Sequence, residues 1–79
     1  MFFEIVLTGL PIDRDEVEEA LEEGFGSDGE VTGAGTGMGR CHLDLEVDPA
    51  VGEEDALTRI KEVLVRLGVA HLARVNVGS

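Results

Sequence analysis

The amino-acid sequence predicts an α+β domain whose elements follow one another in the order βαββαβ. Short runs that are rich in β-branched and aromatic residues, or that alternate between apolar and polar residues, predict the strands. Two longer stretches repeat their apolar residues every three or four positions, which predicts helices. From this order we expect two right-handed split β-α-β units that form a four-stranded antiparallel sheet, strand order 4-1-3-2, with both helices on one face. The chain has 79 residues, so we expect a single domain, residues 1–79.

The first strand and the first helix are predicted within residues 2–24. Residues 2–8 (FFEIVLT) have the composition of a buried strand. Asp13 stands at the position of a helix N-cap, and Glu16 at the position of its capping-box partner. The helix that follows has an apolar stripe and an acidic outer side, and we expect it to end at Gly24.

The middle of the chain predicts a hairpin. Residues 30–34 form a weak strand, and residues 40–48 (RCHLDLEVD) alternate between apolar and polar side chains. Between the two strands lies a glycine-rich turn, whose residues of interest are Gly33, Gly35, Gly37, Gly39 and Arg40. The favoured interpretation is a tight turn that lets the backbone twist and lets the first helix approach closely. The alternative is a surface where exposed amides, helped by the arginine, meet a partner's backbone or an anion.

The second helix and the last strand complete the pattern. Residues 53–67 carry acids in the first turn and bases toward the end, the order that the helix dipole favours. Gly68 has the position of a helix C-cap, and residues 69–77 predict the final strand. The predicted core takes residues from every element except the weak second strand: Phe3, Ile5, Leu7, Val17, Leu21, Cys41, Leu43, Leu45, Val47, Leu57, Ile60, Leu64 and Val75.

Composition restricts the class of function. Six Lys and Arg against seventeen Asp and Glu give a net charge of −11, which argues against nucleic-acid binding and against an anionic membrane surface. The single cysteine, Cys41, excludes an internal disulfide and a cysteine-based zinc site. The sequence has neither a signal-peptide pattern nor a membrane-spanning stretch, so we expect a cytoplasmic protein.

The motifs that could carry chemistry are weak. Residues 24–29 match G-x-G-x-x-G, but a helix precedes them and a strand follows, the reverse of a dinucleotide site. Cys41 and His42 point to opposite faces of a strand and cannot form a dyad. His42, Asp44 and Glu46 share a face, but neighbours two apart lie roughly 7 Å from each other, too far to share a metal ion comfortably. We therefore expect no enzyme, no cofactor and no metal site.

The element order resembles the ferredoxin-like superfold, which includes amino-acid-sensing modules, acylphosphatases, metal chaperones and RNA-binding domains. None of their motifs is present here, so the resemblance implies a fold and not a function. Residues 29–48 (GEVTGAGTGMGRCHLDLEVD) look like the glycine-rich hairpin of small acidic bacterial proteins of uncharacterised type. Some small acidic proteins of this size act as immunity proteins or as inhibitors of toxins.

These observations favour a non-enzymatic module that binds a basic protein, because a strong negative field speeds association with a basic surface. The predicted contact surface is the sheet face away from the helices, with Phe2, Glu4, Val6, His42, Asp44, Glu46, Leu72 and Arg74. One alternative is a small-ligand-sensing or regulatory homodimer, which would associate through the open sheet face or through a sheet edge, of which the last strand is the favoured one. The other is an acidic soluble domain whose charge serves solubility.

Overall fold

The computed structural model describes residues 1–78, which form four strands and two α-helices. These elements are β1 (Phe2–Thr8), α1 (Arg14–Phe25), β2 (Gly29–Gly37), β3 (Arg40–Val47), α2 (Glu53–Arg66) and β4 (Ala73–Gly78). Short 3-10 turns span Gly26–Asp28, Pro49–Val51 and Ala70–Leu72. The predicted domain includes Ser79, which lies outside the described residues.

The four strands form one antiparallel sheet in the order β2-β3-β1-β4. This is the predicted order 4-1-3-2, and with the two helices it confirms a ferredoxin-like α+β topology. Within residues 1–78, every fully buried strand residue belongs to the two central strands, because a central strand has neighbours on both sides and its helix-side residues have no access to water.

The core lies between the sheet and the helices. Phe3 of β1 stands directly opposite Leu45 of β3, and Ile5 stands opposite Leu43, with all four side chains fully buried. The helices close this layer with the apolar residues of their inner sides, which are Val17, Leu21, Phe25, Ala56, Ile60, Val63 and Leu64. Leu57 and Val75 from the predicted core are half-buried and pack against its margin, and the other predicted members are buried.

The ends of α1 differ from the prediction. The helix continues past Gly24 to Phe25, whose buried ring holds the last turn on the core, and Gly26 ends it with φ at +57°. Asp13 is the N-cap, but its side chain makes no capping hydrogen bond. Instead, the Glu16 amide donates to the Asp13 carbonyl oxygen at 3.0 Å, so the capping box is not formed.

The hairpin between β2 and β3 is longer and tighter than predicted. Gly33, Gly35 and Gly37 belong to β2 itself, and the turn contains only Met38 and Gly39. Both turn residues have positive φ, +52° and +75°, as in a type I′ turn whose twist matches that of the flanking strands. A β-bulge between Val31 and Gly33 adds one residue to β2 and resets its alternation.

The backbone of Met38 lies in the left-handed region, which residues with a Cβ seldom adopt, and its side chain is fully exposed. Replacing it with asparagine, which tolerates this conformation, should raise the free energy of unfolding by roughly 0.5–1 kcal/mol. Urea denaturation measures this difference. Met38→Leu is the control, since leucine keeps the unfavourable conformation. Equal stability of the two variants would contradict the argument.

Candidate functional site

One face of the sheet has no helix packed on it, and we call it the open face. Alternation along each strand decides which side chains lie there. β1 contributes Phe2, Glu4, Val6 and Thr8, and β3 contributes Arg40, His42, Asp44 and Glu46. β4 adds Arg74 and Asn76, and β2 adds Glu30 and the three glycines 33, 35 and 37.

Seven of the eight predicted contact residues therefore share one surface. The eighth, Leu72, lies in the 3-10 turn before β4, half-buried against the core margin. The prediction missed Glu30, Asn76 and Thr8. Asn76 lies two residues after Arg74, and Thr8 two residues after Val6, so strand alternation in the sequence could have predicted both.

The strand register divides the open face into an acidic half and a basic half. At the acidic half Glu4 stands directly opposite Asp44, and Glu46 stands opposite both Phe2 and Glu30. At the basic half His42 and Arg74 flank Val6, while Arg40 stands opposite Thr8.

Two pairs of carboxylates face each other in the acidic half, Glu4 with Asp44 and Glu30 with Glu46. Like charges directly opposite on a sheet are unfavourable. Within residues 1–78, only two contacts offset this repulsion. The N-terminal ammonium lies 3.5 Å from Glu46 Oε2, and the Asn76 amide donates a hydrogen bond of 3.3 Å to Glu4 Oε1. The acidic half therefore holds more negative charge than the fold neutralises.

The glycines of the edge strands make room for side chains of the central strands. A Cβ on Gly35 would come within 2.5 Å of His42 Cε1, and one on Gly33 within 2.8 Å of Asp44 Oδ2. On the other edge, the Phe2 ring lies over Gly78 in the same way. The central side chains thus lie flat over the edge strands, which widens the surface they present.

This arrangement corrects one interpretation of the glycine-rich segment. We expected its glycines to let the first helix approach closely, and that is wrong, because the glycines at 33, 35 and 37 face away from the helices. On the helix side β2 presents Thr36, whose hydroxyl oxygen accepts a hydrogen bond of 2.8 Å from Arg14 Nη1. The Arg14–Thr36 hydrogen bond, and not close packing of the helix on glycine backbone, joins α1 to this end of β2.

The paired carboxylates predict a measurable cost in stability. Replacing Glu4 with glutamine keeps the side-chain size and removes one member of the Glu4–Asp44 pair, so we expect the fold to gain a few tenths of a kcal/mol. Denaturation in low salt checks this, with Glu19→Gln on the exposed side of α1 as a control of equal charge change. A loss of stability in Glu4→Gln, relative to that control, would contradict the cost assigned to the pair.

Cys41 lies on the helix side of β3 and is buried, as the alternation predicts. Burial raises the pKa of its thiol, and the nearby Arg14 guanidinium opposes this only in part. The thiol is therefore protonated at neutral pH and serves as a small apolar side chain. On α1, burial together with a hydrogen bond to Asp15 raises the pKa of Glu18, although Arg14 Nε lies 3.8 Å from that carboxylate.

Two further properties of residues 1–78 bear on the class of site. In this part of the chain, no group of three or more His, Cys, Asp or Glu side chains is arranged to hold a metal ion. None of the helices described here has the length and apolarity that crossing a bilayer requires. No protein-family model matches the chain, and no curated protein is significantly similar to it.

Proposed function

We propose that this protein is a small non-enzymatic module that binds a basic protein partner through the acidic half of its open face. The observation that supports the proposal is the presence of two cross-strand pairs of carboxylates, Glu4 with Asp44 and Glu30 with Glu46. Repulsion within each pair destabilises the free protein, and a cationic partner surface would neutralise that repulsion on binding.

The rest of the molecule supports the same class of partner. The net charge of −11 gives a field that accelerates encounter with a basic surface and disfavours nucleic acid. The half-buried side chain of Phe2, opposite Glu46, offers apolar area that a partner can cover. Immunity proteins and inhibitors of nucleic-acid-processing toxins have basic targets, so we place the protein in that class. We also propose that the protein is bacterial and cytoplasmic; the free thiol of Cys41 is compatible with a reducing compartment.

Retention of basic proteins on the immobilised domain tests the proposal. The protein is compared with the variant Glu4→Gln/Asp44→Asn/Glu46→Gln and with the control Glu19→Gln/Glu22→Gln/Glu23→Gln, which changes the charge equally on α1. We expect a partner retained at moderate salt by the protein and by the control, and lost by the open-face variant. Equal retention by the two variants would show that only net charge matters. If no basic protein is retained at low salt, the charge serves solubility alone.

A second candidate, a homodimer, is favoured by the difference between the two sheet edges. The β2 edge carries a bulge between Val31 and Gly33, which disrupts pairing with another chain. In the register that the structure describes, β4 pairs with β1 without such a bulge, and Val77 is 47% exposed on it. The outer edge of β4 is therefore the better template for a second copy.

We expect this dimer at millimolar concentration and in high salt, which screens the repulsion between two copies of charge −11. Sedimentation equilibrium over a concentration series measures it. Val77→Lys on the exposed edge should shift the equilibrium to monomer. A strict monomer at the highest concentration and salt would eliminate this candidate.

A further inference from the structure

The basic half of the open face contains a depression that the proposed function does not use. Its volume is about 380 Å³, and its walls include Arg40, Arg74, His71 and Thr8. No Asp or Glu lines it, although the chain holds seventeen of them. A region of the surface without acids is unexpected in so acidic a chain, and this one is lined by two arginines.

Among residues 1–78, neither Arg40 nor Arg74 has an acidic partner. The ion pairs within residues 1–78 involve Arg14, Arg59 and the N-terminal ammonium, and they leave Arg40 and Arg74 unpaired in this part of the chain. Arg14 and Arg59 tie elements together, Arg14 through Thr36 and Arg59 through Asp28 at 3.0 Å. In the described part of the chain, the side chains of Arg40 and Arg74 make no such hydrogen bond or ion pair, so their guanidinium groups are available to an external ligand.

The register brings the two guanidinium groups within reach of one ligand. Arg40 stands opposite Thr8 on one side of β1, and Arg74 stands opposite Val6 on the other. A strand spacing of about 4.8 Å and an offset of two residues place their Cα atoms roughly 12 Å apart across β1. Two extended arginine side chains can span that distance and converge above Thr8, whose hydroxyl can donate a further hydrogen bond.

We propose that this depression binds a small organic oxyanion, a phosphate monoester or a carboxylate. The planar guanidinium forks match the paired oxygens of either group, and the apolar side chains of Val6 and Leu72 in the wall can cover the organic part. The site does not depend on a basic protein partner, because it uses the opposite half of the open face.

Titration of the isotope-labelled protein with inorganic phosphate, and separately with acetate, at constant ionic strength tests the site by NMR. We expect saturable shifts in the millimolar range, confined to the amides of Thr8, Arg40, His71 and Arg74. Arg40→Gln and Arg74→Gln should each weaken binding at least several-fold, and the double variant should abolish it. Both side chains are exposed, so the variants are expected to fold. The matched control is Arg66→Gln, an exposed arginine at the end of α2.

The titrations distinguish a phosphate ligand, a carboxylate ligand and the absence of a site. A stronger response to phosphate than to acetate identifies a phosphate monoester as the ligand class, and the reverse identifies a carboxylate. Absence of saturable shifts for both anions overturns the proposal. So does equal binding by the double variant, or an equal loss in Arg66→Gln, because either result would show that the anions follow net charge. None of these results bears on retention of a basic protein by the acidic half.

Discussion

Replacement of Leu45 with alanine is expected to lower the free energy of unfolding by about 2–5 kcal/mol, the largest effect of any single change considered. Leu45 is fully buried on a central strand, with Phe3 opposite it on β1 and Val31 opposite it on β2. Truncation removes apolar area from the core and leaves a cavity that neighbours held in three strands cannot close.

Denaturant unfolding monitored by circular dichroism measures this change, and a control separates it from a general effect of alanine. Val65 on α2 is 66% exposed, so Val65→Ala should change stability by no more than about 0.5 kcal/mol. A domain of this size has a total stability of roughly 4–12 kcal/mol, so Leu45→Ala should unfold at a much lower denaturant concentration. A cost below about 1 kcal/mol for Leu45→Ala would contradict the observed register of β3.

Phe2→Ala is expected to abolish stable binding of the basic partner, provided the proposed function holds. Phe2 lies on the open face opposite Glu46, with its ring over Gly78, and it supplies apolar area next to the carboxylates. Apolar contact at the centre of an interface governs the dissociation rate, whereas charge at a distance governs the association rate. Phe2→Ala should therefore raise the dissociation rate by at least tenfold and leave the association rate nearly unchanged.

Glu19→Ala should behave in the opposite way. Glu19 is exposed on α1, away from the open face, and it contributes only to the long-range field. Its loss should lower the association rate modestly, and the difference should vanish near 1 M salt, where the Debye length is about 3 Å. Surface plasmon resonance at two salt concentrations resolves both rates. If Phe2→Ala and Glu19→Ala change the same rate constant, the open face is not the contact surface.

The acidic and basic halves of the open face explain why the molecule's net charge is an incomplete guide to its partners. The charge of −11 is a sum over the chain, yet Arg40 and Arg74 face the same side of the sheet as Glu4 and Asp44. A ligand that approaches this face meets opposite signs at its two ends. The orientation of any bound partner is therefore constrained by the register of the strands.

The sequence by itself determined the topology and most of the core. Alternation in residues 40–48 and the helical stripe in residues 53–67 are local patterns, because a strand or helix buries one side whatever it packs against. Alternation along the strands gave the burial of Cys41 and the assignment of seven contact residues to one face. The strand order followed from the order of the elements together with the right-handed split β-α-β arrangement.

The tertiary structure alone decided the properties that depend on pairing between distant segments. The glycines of β2 looked like a turn, because glycine is a turn former locally, and only pairing with β3 places them inside a strand under His42 and Asp44. The bulge before Gly33 sets the face of every later residue in β2, and no local pattern marks it. The opposition of Glu4 to Asp44, and the convergence of Arg40 and Arg74 on one depression, likewise follow from register across strands far apart in the chain.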